Sequence, residues 1–248
     1  MVSRRGSQFL GLLSALAIVV AVGVAPAEAI PIIKFDQGFD QSVQGGVISW
    51  GGGTDPLVGA DIGFSVIVGL DDLAGMGLLC DPLVSGLGRP CMMLNFETGP
   101  FAGVSGGTLS WDGGVGATFT VTLTHDDALI GPGGALDIDA GEALLTGTAM
   151  FGADLLPPGG GFRNLSITGL DFKHPEILGF FFPAGAPEDF AFSSTEITLS
   201  SGPIDLDAGF EAIDVSDADI NNKPVPVPAT SLLLLLGLGG LAVRKRFM

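Results

Sequence analysis

Acidic side chains at alternate positions are the residues of this sequence best suited to chemistry. Two runs share the pattern Asp-x-Asp-Ala-Gly followed by Glu, with Asp137, Asp139 and Glu142 in the first run and Asp205, Asp207 and Glu211 in the second. Alternate residues of an extended segment project to one side, and a glycine lets the chain turn around Ca²⁺, which takes about six to eight oxygen ligands. The runs therefore predict calcium sites, although neither completes an EF-hand loop. The alternative is that these acids are solvated side chains of edge strands and turns.

A second candidate is the run Gly103-Val-Ser-Gly-Gly107, which matches the G-x-S-x-G pattern of a nucleophile elbow. Such an elbow needs a strand before the serine and a helix after it. The following residues, Thr108-Leu-Ser-Trp111, have the alternation of a strand, which favours a glycine turn. The histidines are His125 and His174, and without a helical histidine pair they are interpreted as turn or rim residues.

Short strands must position these residues. The chain has 40 glycines and 16 prolines, and alternating runs lie between them. The clearest run places Phe119, Val121 and Leu123 on one face and threonines on the other, as in a half-buried strand. Similar runs lie at 47–50, 64–68, 92–96, 108–111, 143–149, 165–168 and 194–200. Many short strands with glycine-rich turns predict an all-β fold, an antiparallel sandwich or a barrel, with a short helix only at 175–182.

Two pairs of similar segments raise the question of an internal duplication. Residues 45–53 resemble 106–114, and each segment contains one of the two tryptophans. Residues 137–141 likewise resemble 205–209. Either the sandwich consists of two related halves, or strand and turn patterns simply recur in a chain rich in glycine and aspartate.

Residues 1–29 have the pattern of a secretory signal peptide. Arg4 and Arg5 give the positive start, an apolar stretch follows, and Ala27 and Ala29 end two overlapping A-x-A sites. Cleavage is expected after Ala29, with Ala27 as the second choice.

Cys80 and Cys91 are the only cysteines. In an exported chain two cysteines are expected to pair, and a metal site would need more ligands than two thiolates. The sequence therefore predicts a disulfide, which would stabilise the fold by on the order of 2–3 kcal/mol.

Residues 30–223, between the two terminal segments, form the predicted β domain. This domain holds five basic side chains and 26 of the 27 acidic ones, so its formal charge is −21. Contacts to phosphate need clustered Lys and Arg, and this charge excludes nucleic acid as a partner. It favours solubility and attracts cations.

Residues 224–248 combine a proline-rich spacer, a short apolar stretch and a basic end. The spacer contains Val225, Pro226, Val227, Pro228, Ala229 and Thr230, the apolar stretch is 232–243, and Arg244, Lys245 and Arg246 follow. A helix that spans the bilayer core needs about twenty apolar residues. The apolar stretch is predicted to form a helix, which is too short for a comfortable permanent anchor. The alternative is a tail-anchored protein with a proline-rich stalk.

This order of spacer, helix and basic end resembles the PEP-CTERM sorting signal in its VPxPA variant. The resemblance implies that exosortase, an intramembrane transpeptidase, recognises the tail and cuts it near 228–230. Val227 departs from the commonest form of the motif, which has Glu there. The order of short motifs in the body, such as Asn95-Phe-Glu-Thr-Gly99, also resembles β-rich exported proteins that carry this tail. That resemblance brings no assigned catalytic activity.

Together these features predict an exported bacterial protein of the cell surface or extracellular matrix, anchored transiently in the inner membrane. Its expected role is structural or adhesive rather than enzymatic, and its expected partners are exosortase, the inner membrane during sorting, and exopolysaccharide. The alternatives are a secreted carboxylate-dependent hydrolase and a calcium-stabilised binding module. Two acids converging in a cleft would favour the hydrolase, whereas filled sheets and scattered acids would favour the structural role.

Overall fold

Antiparallel strands form nearly all of the regular structure in the computed structural model. The structure describes residues 32–37, 45–70, 73–81, 90–114, 116–148, 152–157, 162–185, 192–200 and 204–223. The predicted signal peptide, 1–29, and the predicted sorting signal, 224–248, lie outside these ranges.

The described residues contain sixteen strands and one helix. The strands are β1 Ile32–Asp36, β2 Val47–Trp50, β3 Leu57–Phe64, β4 Val66–Leu70, β5 Gly77–Cys80, β6 Met92–Glu97, β7 Phe101–Ser105, β8 Thr108–Trp111, β9 Thr118–Leu123, β10 Leu129–Gly131, β11 Gly134–Ala135, β12 Ala143–Thr148, β13 Ala153–Leu155, β14 Phe162–Lys173, β15 Phe192–Ser200 and β16 Phe210–Lys223. Within the described residues every predicted run coincides with one or two of these strands, so the strand assignments are confirmed there; Ala149, the last residue of the run 143–149, lies outside the described ranges.

Eight of the strands close on themselves. The hydrogen-bonded order is β16, β2, β3, β6, β9, β12, β14 and β15, and β15 pairs again with β16 to complete a closed barrel. A first branch, β1-β4-β5-β10-β11, leaves from β16, and a second, β13-β8-β7, leaves from β14. The all-β antiparallel prediction is confirmed, and all of these strands belong to one continuous hydrogen-bonded sheet.

Alternation along each strand explains which side of the sheet forms the core. In β9, Phe119, Val121 and Leu123 are buried, and the threonines between them face outward. In β14 the buried positions continue from Leu165 in steps of two to Lys173. This period of two is the geometry of a pleated strand, and it fills the ring with side chains.

The helix, α1, spans Pro175–Phe181, where the sequence predicted a short helix. A proline fits the first turn of a helix because its missing N–H has no partner there in any case. The side chain of His174 accepts a hydrogen bond from the backbone N–H of Glu176, and Ile177 and Phe181 are buried. Within the described ranges no helix has the length and apolar character needed to cross a membrane.

Close approach of the backbone at two glycines organises one end of the ring. A Cβ on Gly209 would overlap the carbonyl oxygen of Trp50, and a Cβ on Gly152 would overlap that of Trp111. Both glycines have a positive φ, +72° and +78°. The two tryptophan segments that resemble each other in sequence therefore make equivalent contacts.

The tryptophan cluster comprises Trp50, Phe101, Trp111 and Phe210. The two indole rings are perpendicular with centroids 5.5 Å apart, and Phe101 lies 4.7 Å from Trp50. Edge-to-face pairs of this kind contribute about 0.5–1.5 kcal/mol beyond the area they bury. The two tryptophan segments are thus similar in their contacts as well as in their sequence. An internal duplication of the chain stays a prediction.

We expect Gly209→Ala to lower the free energy of unfolding by about 3 kcal/mol or more, because the methyl group meets backbone atoms that cannot move independently. Gly141→Ala is the matched control, since Gly141 also has a positive φ, +85°, but has open space around it. Only the backbone strain, about 1 kcal/mol, should appear there. Denaturant unfolding of both variants measures the difference, and equal losses would contradict the proposed close approach.

Candidate functional site

The first acidic run is a turn in which carboxylates bind backbone N–H groups. Asp137 and Asp139 are exposed on either side of the buried Ile138. The carboxylate of Glu142 accepts a hydrogen bond from the Asp139 N–H at 3.1 Å, and Asp126 accepts one from the Ala140 N–H at 2.7 Å. These contacts are typical of acids that stabilise turns.

The second acidic run forms its own turn. The carboxylate of Asp205 accepts hydrogen bonds from the backbone N–H groups of Asp207 and Ala208, at 2.9 and 3.1 Å. These bonds lower the pKa of Asp205 below its ordinary value, and the bond from the Ala208 N–H has the larger effect. Glu211 lies in β16, and its side chain is outside what the structure describes.

A calcium site needs several oxygens converging on one point. Among the described residues no group of three or more Asp, Glu, His or Cys side chains is placed to hold a metal ion. In the two runs, the carboxylates of Glu142 and Asp205 accept hydrogen bonds from N–H groups of their own turns, and Glu142 Oε2 also lies 3.8 Å from Nε2 of His174. The calcium site, the calcium-stabilised module and the hydrolase all stay predictions.

The serine motif and the histidines take local roles. Ser105 ends β7 and Thr108 begins β8, so the motif is the turn of a hairpin, as predicted, and lacks the helix of a nucleophile elbow. His125 shares a hydrogen bond with Thr124 at 2.7 Å, and His174 caps α1. Both histidines therefore lie at turns, as expected from the sequence.

The disulfide prediction is confirmed. Cys80, at the end of β5, and Cys91, just before β6, are bonded with their Cα atoms 5.9 Å apart. The bond ties the first branch to the ring and closes a loop, 82–89, that lies outside the described ranges. Neither cysteine remains for metal binding.

Three shallow depressions interrupt the described surface. Their volumes are about 320, 240 and 220 Å³, and one acidic side chain, Glu97, contributes to their linings. Glu97 lies in the second depression with Thr98 and backbone from Gly99. These three depressions therefore do not bring two carboxylates together.

The most unusual titratable groups are buried inside the ring. Asp171 and Lys173 occupy alternate positions on the inner face of β14, and both side chains are fully buried. Their charged atoms are 2.6 Å apart. The other carboxylate oxygen of Asp171, Oδ2, has no hydrogen-bond partner. An unmatched oxygen in the interior costs free energy.

A glycine on the neighbouring strand accommodates the pair. Asp171 lies opposite Gly147 of β12, and a side chain at Gly147 would meet the ring of Phe119 and the backbone of Leu170 and Asp171. Burial raises the pKa of Asp171 to about 6 against the opposing effect of Lys173. Burial also lowers the pKa of Lys173, and the nearby carboxylate opposes that change.

Sequence reasoning missed this pair, although a signal was present. The alternation that buries Leu165 and Ile167 continues through Gly169 to Asp171 and Lys173. Extending the period of two would have placed both charges inside the ring. The predicted processing residues, Ala27, Ala29, 225–230 and 244–246, all lie outside the described ranges.

Comparison with protein-family models, with curated proteins and with solved structures finds no match to the chain.

We expect Lys173→Met to lower the free energy of unfolding by about 3–5 kcal/mol, because it leaves a buried carboxylate without its ion-pair partner. The control is Lys34→Met, which removes ion pairs with Asp36 and Asp219 that are each about a quarter exposed, and it should cost about 1 kcal/mol or less. A double change, Asp171→Leu with Lys173→Met, should recover much of the loss. Denaturant unfolding measures the free energies of unfolding of the variants. Equal losses in Lys173→Met and Lys34→Met would contradict the prediction.

The buried acid also predicts a pH dependence. Since the folded protein raises the pKa of Asp171 from 3.8 to about 6, the folded state binds the proton more tightly than the unfolded state. The resulting stabilisation is fully present below about pH 4 and is lost as the pH rises through about 6. The difference in unfolding free energy between wild type and Asp171→Asn should therefore fall across this range. A difference that stays flat between pH 4 and 7 would disprove the assignment.

Proposed function

We propose that the protein is an exported bacterial surface or matrix protein, sorted by exosortase, with a structural or adhesive role and no catalytic one. The signal peptide takes the acidic domain across the inner membrane. The C-terminal helix holds it there until cleavage near 228–230 releases or re-anchors it. The order of spacer, apolar stretch and basic end at 224–248 is the observation that carries the proposal.

The disulfide supports export. Disulfides form and persist in oxidising compartments and are rare in the cytosol. Cys91 is fully buried and Cys80 is 8% exposed, so their bond is part of the packed structure. A chain that needs this bond for its fold suits the periplasm or the cell exterior.

The domain's construction supports a structural role. Its interior is filled by large apolar side chains such as Phe35, Phe64 and Ile62, each fully buried. Described acids such as Asp205 and Asp219 serve in turns and ion pairs. We also propose that the domain packs as a sandwich. In a closed ring of eight strands, side chains from opposite walls fill the interior and contact each other. The two walls then form the two packed layers.

Exopolysaccharide is the partner we propose for the exported domain. The strands of the ring place threonine, serine and asparagine side chains outward, as at Thr120 and Asn95, which lie side by side on β9 and β6. Such side chains both donate and accept hydrogen bonds, as do sugar hydroxyls. The calcium ion is proposed only as a bound stabiliser of the two acidic turns.

Mass spectrometry of both ends of the protein tests this function. The mature chain should begin at Ile30 and should lack 232–248, because both terminal segments are removed. Pro226→Ala with Pro228→Ala should leave the tail attached, whereas Pro224→Ala, outside the motif, should not. A host without exosortase should accumulate the form that ends at Met248. Exported protein that keeps Met248 in a host with exosortase, or a domain that faces the cytosol, would refute the proposal.

A further inference from the structure

The first branch of the sheet carries apolar side chains on both of its faces. Its inner side chains, including Ile33, Ile67 and Leu78, are fully buried in the core. Its outer side chains form what we call the apolar face: Ile32, Val66, Val68, Leu70, Leu79 and Ile130. An antiparallel sheet with one face in water ordinarily alternates apolar and polar residues, so this outer face departs from the expected pattern.

Strand register makes the apolar face continuous. Ile32 lies opposite Leu70, Val66 lies opposite Leu79, and Leu79 lies opposite Ile130. Leu79 is 60% exposed and Leu70 is 37% exposed. The depression of about 320 Å³ lies on this face and is lined by Leu79 and Ile130 together with small residues. Contiguous exposed apolar surface of this kind marks a contact with another apolar surface.

Charge does not protect this face. The charged side chains that β1 adds to it, Lys34 and Asp36, form an ion pair at 2.7 Å, and Lys34 also contacts Asp219 at 2.9 Å. Edge strands that must stay unpaired in water usually carry free charges, lysine above all. Here the one lysine is held by two aspartates, and the group keeps a net negative charge beside the aliphatic side chains.

Both terminal segments attach at the rim of this face. Ile33 pairs with Asn222, so β1 begins where β16 ends, at Lys223. Eight residues, 224–231, separate Lys223 from the apolar stretch of the tail, which starts at Leu232. At the rise of an extended proline-rich chain, eight residues would reach about 25 Å. A membrane that holds the tail would therefore lie within about 25 Å of Lys223, where β16 ends beside the start of β1.

We propose that the apolar face rests on the lipid surface of the membrane while the tail is still attached. This inference rests on the proposed function, since it requires the tail to be in a membrane. Aliphatic side chains enter the interface, and the tether supplies an effective concentration on the order of millimolar. The domain's charge of −21 opposes contact with anionic lipids, so the contact holds only with the tether. Removal of the tail then frees the domain from the membrane as well as from its anchor.

Hydrogen exchange of the full chain in vesicles tests the contact. The chain that keeps its tail is bound to vesicles of phosphatidylethanolamine and phosphatidylglycerol and compared with the same chain without vesicles. Peptides covering 66–70 and 77–80 should exchange on the order of tenfold more slowly on the vesicles. Peptides covering β7 and β8, in the second branch, should be unchanged. Higher salt should increase the protection, because it screens the repulsion between acidic domain and anionic lipid.

The outcomes separate this inference from the proposed function. A full chain that does not float with vesicles contradicts the membrane role of the tail and hence the function itself. A chain that floats but shows no protection at 66–70 and 77–80 overturns only the lipid contact. Exchange at 66–70 and 77–80 that is equally slow in the absence of vesicles also overturns it. A dependence on protein concentration would then indicate a second copy, and independence would indicate the chain's own tail.

A pair of matched variants provides a second measurement. Leu79→Glu places a charge on the apolar face, whereas Leu206→Glu places one on a side chain of similar exposure, 48%, in the turn before β16. Both variants should float through the tail. Only Leu79→Glu should lose the protection at 66–70, and equal protection in both variants would refute the contact.

Discussion

The edges of a strand carry unpaired backbone groups that must find partners, and β14 and β16 meet this constraint together. Each has one edge divided between two strands, β12 and β13 for β14, and β1 and β2 for β16. The remaining edge of each pairs with β15. Closure follows because one strand joins both. Closing the ring gives each of its eight strands a partner on both sides, and β7 and β11 are the end strands of the two branches. The branches exist because β14 and β16 extend beyond the strands that complete the ring.

Glycines lie where one strand closely approaches the backbone of another, and a buried ion pair lies beside one of these glycines. At one end, Gly209 and Gly152 allow the tryptophan strands to approach the backbone, and the aromatic rings fill the space between them. At the other end, Gly147 leaves room beside Asp171, and β14 carries its last two inward residues, both charged, into the interior. A buried ion pair is weak evidence for stability, but it disfavours any other register for β14, since a slip by one residue would exchange its two faces.

Local patterns in the sequence predict strands well and predict their partners poorly. The alternation in β9 is complete, so its position and its buried face follow from the residues alone. Only 165–168 of β14 was predicted, because the inward Asp171 and Lys173 resemble a loop when the register is unknown. Closure of the ring depends on pairings between distant segments, such as β1 with the end of β16, which no local period encodes. The acidic runs show a related limit of local patterns: Asp205 has the spacing of a calcium ligand, and the same spacing lets its carboxylate accept hydrogen bonds from the N–H groups two and three residues ahead. The calcium site stays a prediction.

The net negative charge of the domain opposes contact with lipid and with other copies, whereas its apolar face favours such contact. The position of the apolar face makes the two compatible. A charge of −21 keeps the domain apart from its own copies and from anionic lipid. An aliphatic surface that includes Leu79 and Leu70 favours contact with both. Because this surface adjoins the strand pair from which both terminal segments leave, a tail held in a membrane would, under the proposed function, bring it to lipid before it meets another domain. Lys34 lies on the same face and offsets one of the two negative charges of Asp36 and Asp219, so this group keeps a net negative charge beside the aliphatic side chains. Under the proposed lipid contact, release of the domain would follow cleavage of the tail, because the contact would be too weak to persist without it.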